Sequence, residues 1–394
     1  MRNRTMRHSL TAGLIIAFSL GTASAQDTIK VGFVIPMTGQ LAAVGKQVSA
    51  GARLYMQEHG DTVAGKKIEL IVKDDGGVPD VAKRVAQELL VNDKVQFLGG
   101  GLTPSALAMA PLATESKVPE VVVISGTSVV TERSPYIVRV SFTLGQSSGI
   151  LGDWSVKNGG KKAVIIQSDW APGAEATAVF TDRFTRGGGQ ILDTIKVPLA
   201  NPDFAPFLQR ARDLAPDTLF VFVPAGQAGT FAKQFVERGL DKTGIKLIGP
   251  GDITDDDDLP HMGDQMIGTV SALNYSASHN SAKNKAYVAA FKAANGGMRP
   301  NFISLGGYDG MHVIYEALAK TGGSADADKL IAAMTSLKWE SPRGPMSIDP
   351  ETRDVVQNIY IRRVEKVGGE LYNTEFATFE AVKDPIKEAK KASH

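Results

Sequence analysis

The sequence predicts an α/β protein of two doubly wound, parallel-sheet lobes. Short β-branched runs alternate with amphipathic stretches, the alternation occurs in two series, and 394 residues exceed one domain of ordinary size. In the first series strands are expected at 29–35, 67–72, 95–98 and 120–124, with helices at 44–57, 80–91 and 105–116 between them. Strands separated by helices of this length form βαβ units, which place helices on both faces of a parallel sheet. A strand at 136–140 leads to the second series, with helices at 146–157, 173–186, 204–214 and 227–238. Its strands are expected at 163–167, 191–197, 218–223 and 246–248. The remainder reads differently: helices at 284–294, 303–320 and 326–337, then a strand pair at 346–348 and 358–364 around the turn Asp349-Pro350-Glu351. The chain is expected to return to the first lobe for these helices and to cross again for the closing hairpin. Periodicity alone does not establish that crossing.

Residues 1–25 read as a cleavable secretory leader. Arg2, Arg4 and Arg7 precede an apolar run too short to span a bilayer, and Ala23-Ser24-Ala25 stands ahead of Gln26. No later stretch reaches the roughly 18 apolar residues of a membrane span, so a soluble, exported protein is expected. Zero cysteines exclude a lipoprotein anchor, disulfides, thiolate metal sites and cysteine nucleophiles together. The formal charge is +1, or −2 once the leader arginines are gone, and no basic stripe points to nucleic acid.

Several stretches in order resemble the leucine/isoleucine/valine-binding family of periplasmic solute-binding proteins. They are Pro36-Met37-Thr38-Gly39 with Gly45, Gly51-Ala52-Arg53-Leu54, and Lys73-Asp74-Asp75 with Pro79 and Glu88-Leu89-Leu90. The series continues with Gly99-Gly100-Gly101-Leu102-Thr103-Pro104-Ser105, Val118-Pro119, Gly307-Tyr308-Asp309-Gly310 and Gly344-Pro345-Met346. The resemblance covers the mature chain. It implies two lobes joined by three crossing segments, with 26–144 plus 274–344 in the first lobe and 145–273 plus 345–382 in the second. A charged tail at 383–394 is expected to follow. It also implies a periplasmic, monomeric solute-binding component of an ABC importer that closes on its ligand and is recognised by inner-membrane permease subunits.

In an open parallel sheet, ligands sit beyond the carboxyl ends of the strands, where helix N-termini offer unpaired N–H groups. Thr103 stands at such a place, and its hydroxyl suits a carboxylate, although an ordinary helix cap would also explain it. By resemblance Leu102 and Thr103 belong to the ligand site, and so does the loop Thr127, Ser128 and Val129, which a polar turn would equally explain. On the second lobe Trp170 either covers an apolar ligand face or packs structurally. Ala225 stands at a strand end where the family's amino-acid binders tend to carry an aromatic. The acid that neutralises an amino-acid ammonium is missing from its usual place. Glycine occupies the matching position in Gly249-Pro250-Gly251-Asp252, and the acid is displaced by one. A buried ammonium without a carboxylate partner is costly, so an aromatic or branched aliphatic carboxylate is the expected cargo. Asp252 would accept from a ligand hydroxyl, or hold an ammonium after a small rotation. Branched-chain amino acid binding therefore stays open as the second reading, and an exported α/β enzyme as the third.

No catalytic set assembles. The six histidines show no H-E-x-x-H spacing, Gly99-Gly100-Gly101-Leu102-Thr103 fails the dinucleotide pattern, and there is neither a nucleophile elbow nor a P-loop. No enzyme, cofactor or metal is expected. The acidic run from Asp255 to Asp258 lacks the oxygen spacing of a calcium loop and reads as the solvated first turn of a helix. His312 reads as a helix-packing residue.

Overall fold

The computed structural model describes residues 28–393, so the expected leader lies outside the described residues. The first lobe runs β1 (Thr28–Ile35), α1 (Ala42–His59), β2 (Thr62–Val63), β3 (Lys66–Asp74), α2 (Pro79–Glu88), β4 (Phe97–Gly100), α3 (Thr103–Ser116), β5 (Glu120–Val122) and β6 (Ile137–Arg139). The sheet order is β2-β3-β1-β4-β5-β6, and every pairing except that of short β2 is parallel. β1 is central, and Val31, Phe33, Val34 and Ile35 are fully buried, as a strand covered on both faces requires. The two acids at the end of β3 hold the loops at the strand ends. Asp74 accepts from the backbone N–H of Met37 at 2.7 Å, and Asp75 accepts from Ser105 Oγ at 2.6 Å.

The second lobe opens with α4 (Leu144–Lys157), whose N-terminus carries a capping box between Thr143 and Gln146. It continues as β7 (Lys162–Ser168), α5 (Ala171–Arg186), β8 (Gln190–Val197), α6 (Ala205–Asp213), β9 (Thr218–Phe222), α7 (Ala228–Glu237), β10 (Lys246–Pro250) and β11 (Val270–Leu273). Three helices follow, α8 (Ala282–Ala294), α9 (Phe302–Lys320) and α10 (Ala327–Thr335). The first two pack on α1. At that contact a Cβ on Gly51 would lie 1.8 Å from the carbonyl oxygen of Ser304, and one on Gly307 would lie 2.2 Å from that of Val48. Only glycine lets the two backbones approach so closely, which gives two of the family-like motifs their physical reason.

The chain then returns to the second sheet as β12 (Lys338–Ser341), β13 (Gly344–Ile348), β14 (Val355–Val367) and β15 (Glu370–Val382), and ends in α11 (Pro385–Ala392). The order is β12-β13-β14-β11-β10-β9-β7-β8, with β15 also on β14. The expected hairpin is the antiparallel pair β13–β14, and the sheet extends the antiparallel pattern beyond it, with β11 and β15 also pairing antiparallel with β14 and β12 with β13. Tight turns join β12 to β13 and β14 to β15, whereas parallel strands need long crossovers. β12 pairs with β13 and so belongs to the second sheet. The expected charged tail is α11, and Lys387 within it is buried against Thr131 and Asp354.

The first two crossings meet at one carbonyl, which also holds two side chains of the closing strands. Ser141 O, on the first crossing, accepts from Asn274 Nδ2 on the second at 3.2 Å, from Gln357 Nε2 at 2.9 Å and from Arg343 Nη1 at 3.2 Å. Arg343 in turn pairs with buried Asp309 of α9 through its Nε at 3.0 Å.

Candidate ligand-binding site

The carboxyl ends of β4 and β5 in one sheet, and of β7, β9 and β10 in the other, open onto a single cleft. Leu102, Thr103, Ile124, Ser125 and Gly126 line it from the first lobe, with Leu41 and Val44 from the start of α1 and Phe302 and Ile303 from the start of α9. Trp170, Pro172, Phe222, Pro224, Ala225 and Asp252 line it from the second, and Phe142 and Leu144 of the first crossing close one side. Phe142 meets Phe302 edge to face at 5.5 Å.

The polar wall is on the first lobe. Thr103, the first residue of α3, shares hydrogen bonds with Ser125 Oγ at 2.7 Å and Thr127 Oγ1 at 2.9 Å, and all three hydroxyls are buried. The first N–H groups of α3 have no partner within the helix and lie at the positive end of its dipole. Buried Arg139 organises the loop behind this wall. Its guanidinium donates to the carbonyls of Ser125 at 3.0 Å and Thr127 at 2.7 Å, while its Nε pairs with Asp354 at 2.8 Å. The carbonyls are thus held by arginine on one side, leaving hydroxyl and N–H donors for the other. No lysine or arginine lines the cleft among the described residues.

Of the residues singled out from the sequence, Leu102, Thr103, Trp170, Ala225 and Asp252 line this one cavity. Thr127 stands one hydrogen bond behind it, through Thr103. Ser128 and Val129 are not on the lining. The N–H of Ser128 donates to both oxygens of Glu175 from α5, at 2.9 and 3.0 Å, and its Oγ donates to Asp384. Glu175 therefore bridges the lobes, and burial pushes its carboxyl up to about 7, against the opposing pull of the Ser128 N–H and Arg139. A second bridge spans Gln40 and Asn201. The Gln40 side-chain amide donates to Asn201 Oδ1, and Asn201 N–H donates back at 3.3 Å.

Asp252 is 8 % exposed, and burial pushes its carboxyl up to about 7, although its own N–H and that of Ala225 favour the charged form. Its Oδ2 and the Nε1 of Trp170 are buried with no hydrogen-bond partner among the described residues. The position before it shows why the acid is displaced. A Cβ on Gly251 would lie 2.4 Å from Leu273 and 2.6 Å from Arg362 Nη2, so no side chain fits there.

The acidic run is corrected by the structure. Asp255 and Asp256 are each 2 % exposed and do not form a solvated helix turn. Asp255 accepts from Asn301 Nδ2 at 3.0 Å, and Asn301 caps α9 by accepting from the N–H groups of Ile303 and Ser304. Asp256 accepts from Asn373 Nδ2 at 2.9 Å and lies 3.7 Å from Arg362. The run thus holds the start of α9, which carries Phe302 and Ile303 into the cleft. Sequence reasoning missed these two, together with Phe142, Leu144 and Phe222, because an apolar residue beside a strand end or helix start looks like any core residue. His312 packs as expected, with Nδ1 at 3.1 Å from Tyr55 Oη, and burial lowers its pKa. Among the described residues, no group of histidines and acids is arranged to hold a metal ion.

Residues 28–369 match the family described as periplasmic binding protein. A solved solute-binding protein of an ABC transporter from Rhodopseudomonas palustris BisB5, in complex with 3,4-dihydroxybenzoic acid, is 66 % identical. That likeness covers 92 % of this chain and 99 % of that one, with a TM-score of 0.90. Another from R. palustris, in complex with 4-hydroxybenzoate, is 41 % identical, with coverage of 91 % and 99 % and a TM-score of 0.88. The Leu/Ile/Val-binding protein homolog 6 of Brucella melitensis biotype 1 is 41 % identical over 96 % of this chain and 98 % of its own length.

Proposed function

We propose, from the premise that this chain belongs to the periplasmic binding protein family, that it is the solute-binding component of an ABC importer and captures a small aromatic carboxylate by closure of its two lobes. The observation that carries the ligand class is the cleft itself. Its lining is apolar and aromatic apart from the linked hydroxyls of Thr103 and Ser125 beside a helix N-terminus, backed by Thr127, and one acid, Asp252, opposite. Hydroxyls and N–H groups stabilise a carboxylate without a full positive charge, and the aromatic lining takes up a ring. Solute-binding proteins resembling this chain are bound to 3,4-dihydroxybenzoic acid and 4-hydroxybenzoate, which supports the same class here. Its relatives are solute-binding proteins, not enzymes.

An α-amino acid fits less well. Its ammonium needs several acceptors once water is removed, and the cleft offers one acid whose charged form is already disfavoured by burial. Export through the leader, a periplasmic location, a monomeric state and recognition of the closed form by membrane permease subunits complete the reading. No helix among the described residues is long and apolar enough to cross a membrane. The test is isothermal titration calorimetry of the purified protein with benzoate, 4-hydroxybenzoate, 3,4-dihydroxybenzoate and leucine. At least one aromatic acid is expected to bind at one site per chain, with leucine at least tenfold weaker. Tighter binding of leucine would overturn the ligand class.

A further inference from the structure

We propose that Asp252 and the indole N–H of Trp170 form a second polar anchor that recognises a hydroxyl on the ligand's ring, so that the protein selects hydroxylated benzoates over unsubstituted ones. This rests on the aromatic-acid reading and adds what the second lobe contributes to it. Both residues line the cleft, and each has one buried polar atom that nothing among the described residues satisfies: Oδ2 of Asp252 is an acceptor and Nε1 of Trp170 is a donor. Buried polar atoms are nearly always hydrogen-bonded, and unpaired ones at a cavity wall mark where a ligand completes the set.

The remaining contacts of Asp252 do not absorb Oδ2. The backbone N–H groups of Ala225 and of Asp252 itself lie at the carboxyl, which leaves Oδ1 to receive them. Arg362, the nearby cation, spends its donors elsewhere. Its guanidinium donates to Tyr275 O, to Ser271 Oγ at 3.0 Å and to Gly251 O at 3.4 Å, and it pairs with Asp256. One free acceptor and one free donor match a hydroxyl, which donates one hydrogen bond and accepts another. They do not match an ammonium, because the indole N–H would face another donor. They do not match an unsubstituted ring, which would leave both atoms unpaired. A site with buried polar groups rejects the ligand lacking their partner more strongly than an apolar pocket rejects an added methyl. The match requires the ionised carboxylate, the form that accepts.

The experiment is calorimetry of the wild-type protein with benzoate, 4-methylbenzoate, 3-hydroxybenzoate, 4-hydroxybenzoate and 3,4-dihydroxybenzoate, repeated on Asp252→Asn and Trp170→Phe. The best hydroxylated acid is expected to bind at least tenfold more tightly than benzoate, with 4-methylbenzoate gaining no such advantage. Asp252→Asn turns the free acceptor into a donor, so the preference should fall to threefold or less. Trp170→Phe keeps a ring against the ligand and should lose part of the preference. Equal binding of benzoate and every hydroxylated acid by the wild type, or full preference in both variants, would overturn this inference alone. Failure of every aromatic acid to bind would overturn the ligand class, and this inference with it. The wild-type series stands by itself even if a variant does not fold.

Discussion

At Thr103 one hydroxyl joins Ser125 and Thr127 into the polar wall of the cleft, and its methyl group packs where a valine methyl would. Replacing it with valine removes the shared donor at nearly constant volume. A hydrogen bond to a charged group contributes about 1.5–3 kcal/mol, so Thr103→Val is expected to weaken carboxylate binding about ten- to hundredfold. Calorimetry measures the loss, and circular dichroism checks that the fold is kept. Unchanged affinity would remove Thr103 from the site. This residue was legible because it follows a strand and opens a helix, a setting with its own chemistry. Gly251 and Asp252 were legible only as a departure from the family's pattern. The reason, a Cβ of residue 251 colliding with Leu273 and Arg362, needed the packing of β11 and β14. Phe142 and Phe302 carried no signal at all, since nothing in the sequence separates a ring that meets ligand from one that meets core.

Among the elements, α5 presents Glu175 to the start of the Ser128–Arg133 turn of the first lobe, with Arg139, Asp354 and Asp384 also facing it. Opening the cleft exposes this carboxyl and returns it toward its ordinary value of 4.5, whereas closure holds it near 7. The closed form therefore binds the proton more tightly. Closure is unhindered below about pH 4.5, becomes progressively less favourable up to about pH 7, and is then constant. Ligand affinity is expected to fall across that interval, and Glu175→Gln should flatten this part of the profile, as titrations at pH 5.5 and 8 would show. An equal slope in the variant would assign the pH dependence elsewhere, with Asp252 the next candidate. The βα units that build this interface were readable because buried parallel strands are apolar runs flanked by amphipathic helices. β11 escaped because it has only four residues. β15 escaped because its exposed side is polar, although Gly368-Gly369, both with positive φ, marks the hairpin turn that precedes it.

Across the whole molecule, the two sheets meet over one cleft while the first two chain crossings meet at the carbonyl of Ser141, with Arg343 and Gln357 of the closing strands on the same atom. In the closure proposed above, this cluster of hydrogen bonds is the natural pivot about which the lobes would move as bodies. The Gln40–Asn201 and Glu175–Ser128 contacts span the lobes, and both break when the cleft opens. Ligand contributes by binding the closed form better, which shifts the population toward it. None of the crossings was readable from periodicity, because a helix packs equally well on either sheet. They followed from resemblance, and the glycines of α1 and α9 show why the chain must return. The most direct test of the account is a crystal structure of the protein grown with 4-hydroxybenzoate. The account predicts closed lobes, the carboxylate within hydrogen-bond distance of Thr103 Oγ1 and the ring hydroxyl at Asp252 Oδ2. A ligand bound outside the cleft, or lying with its carboxylate on the Asp252 wall, would contradict it.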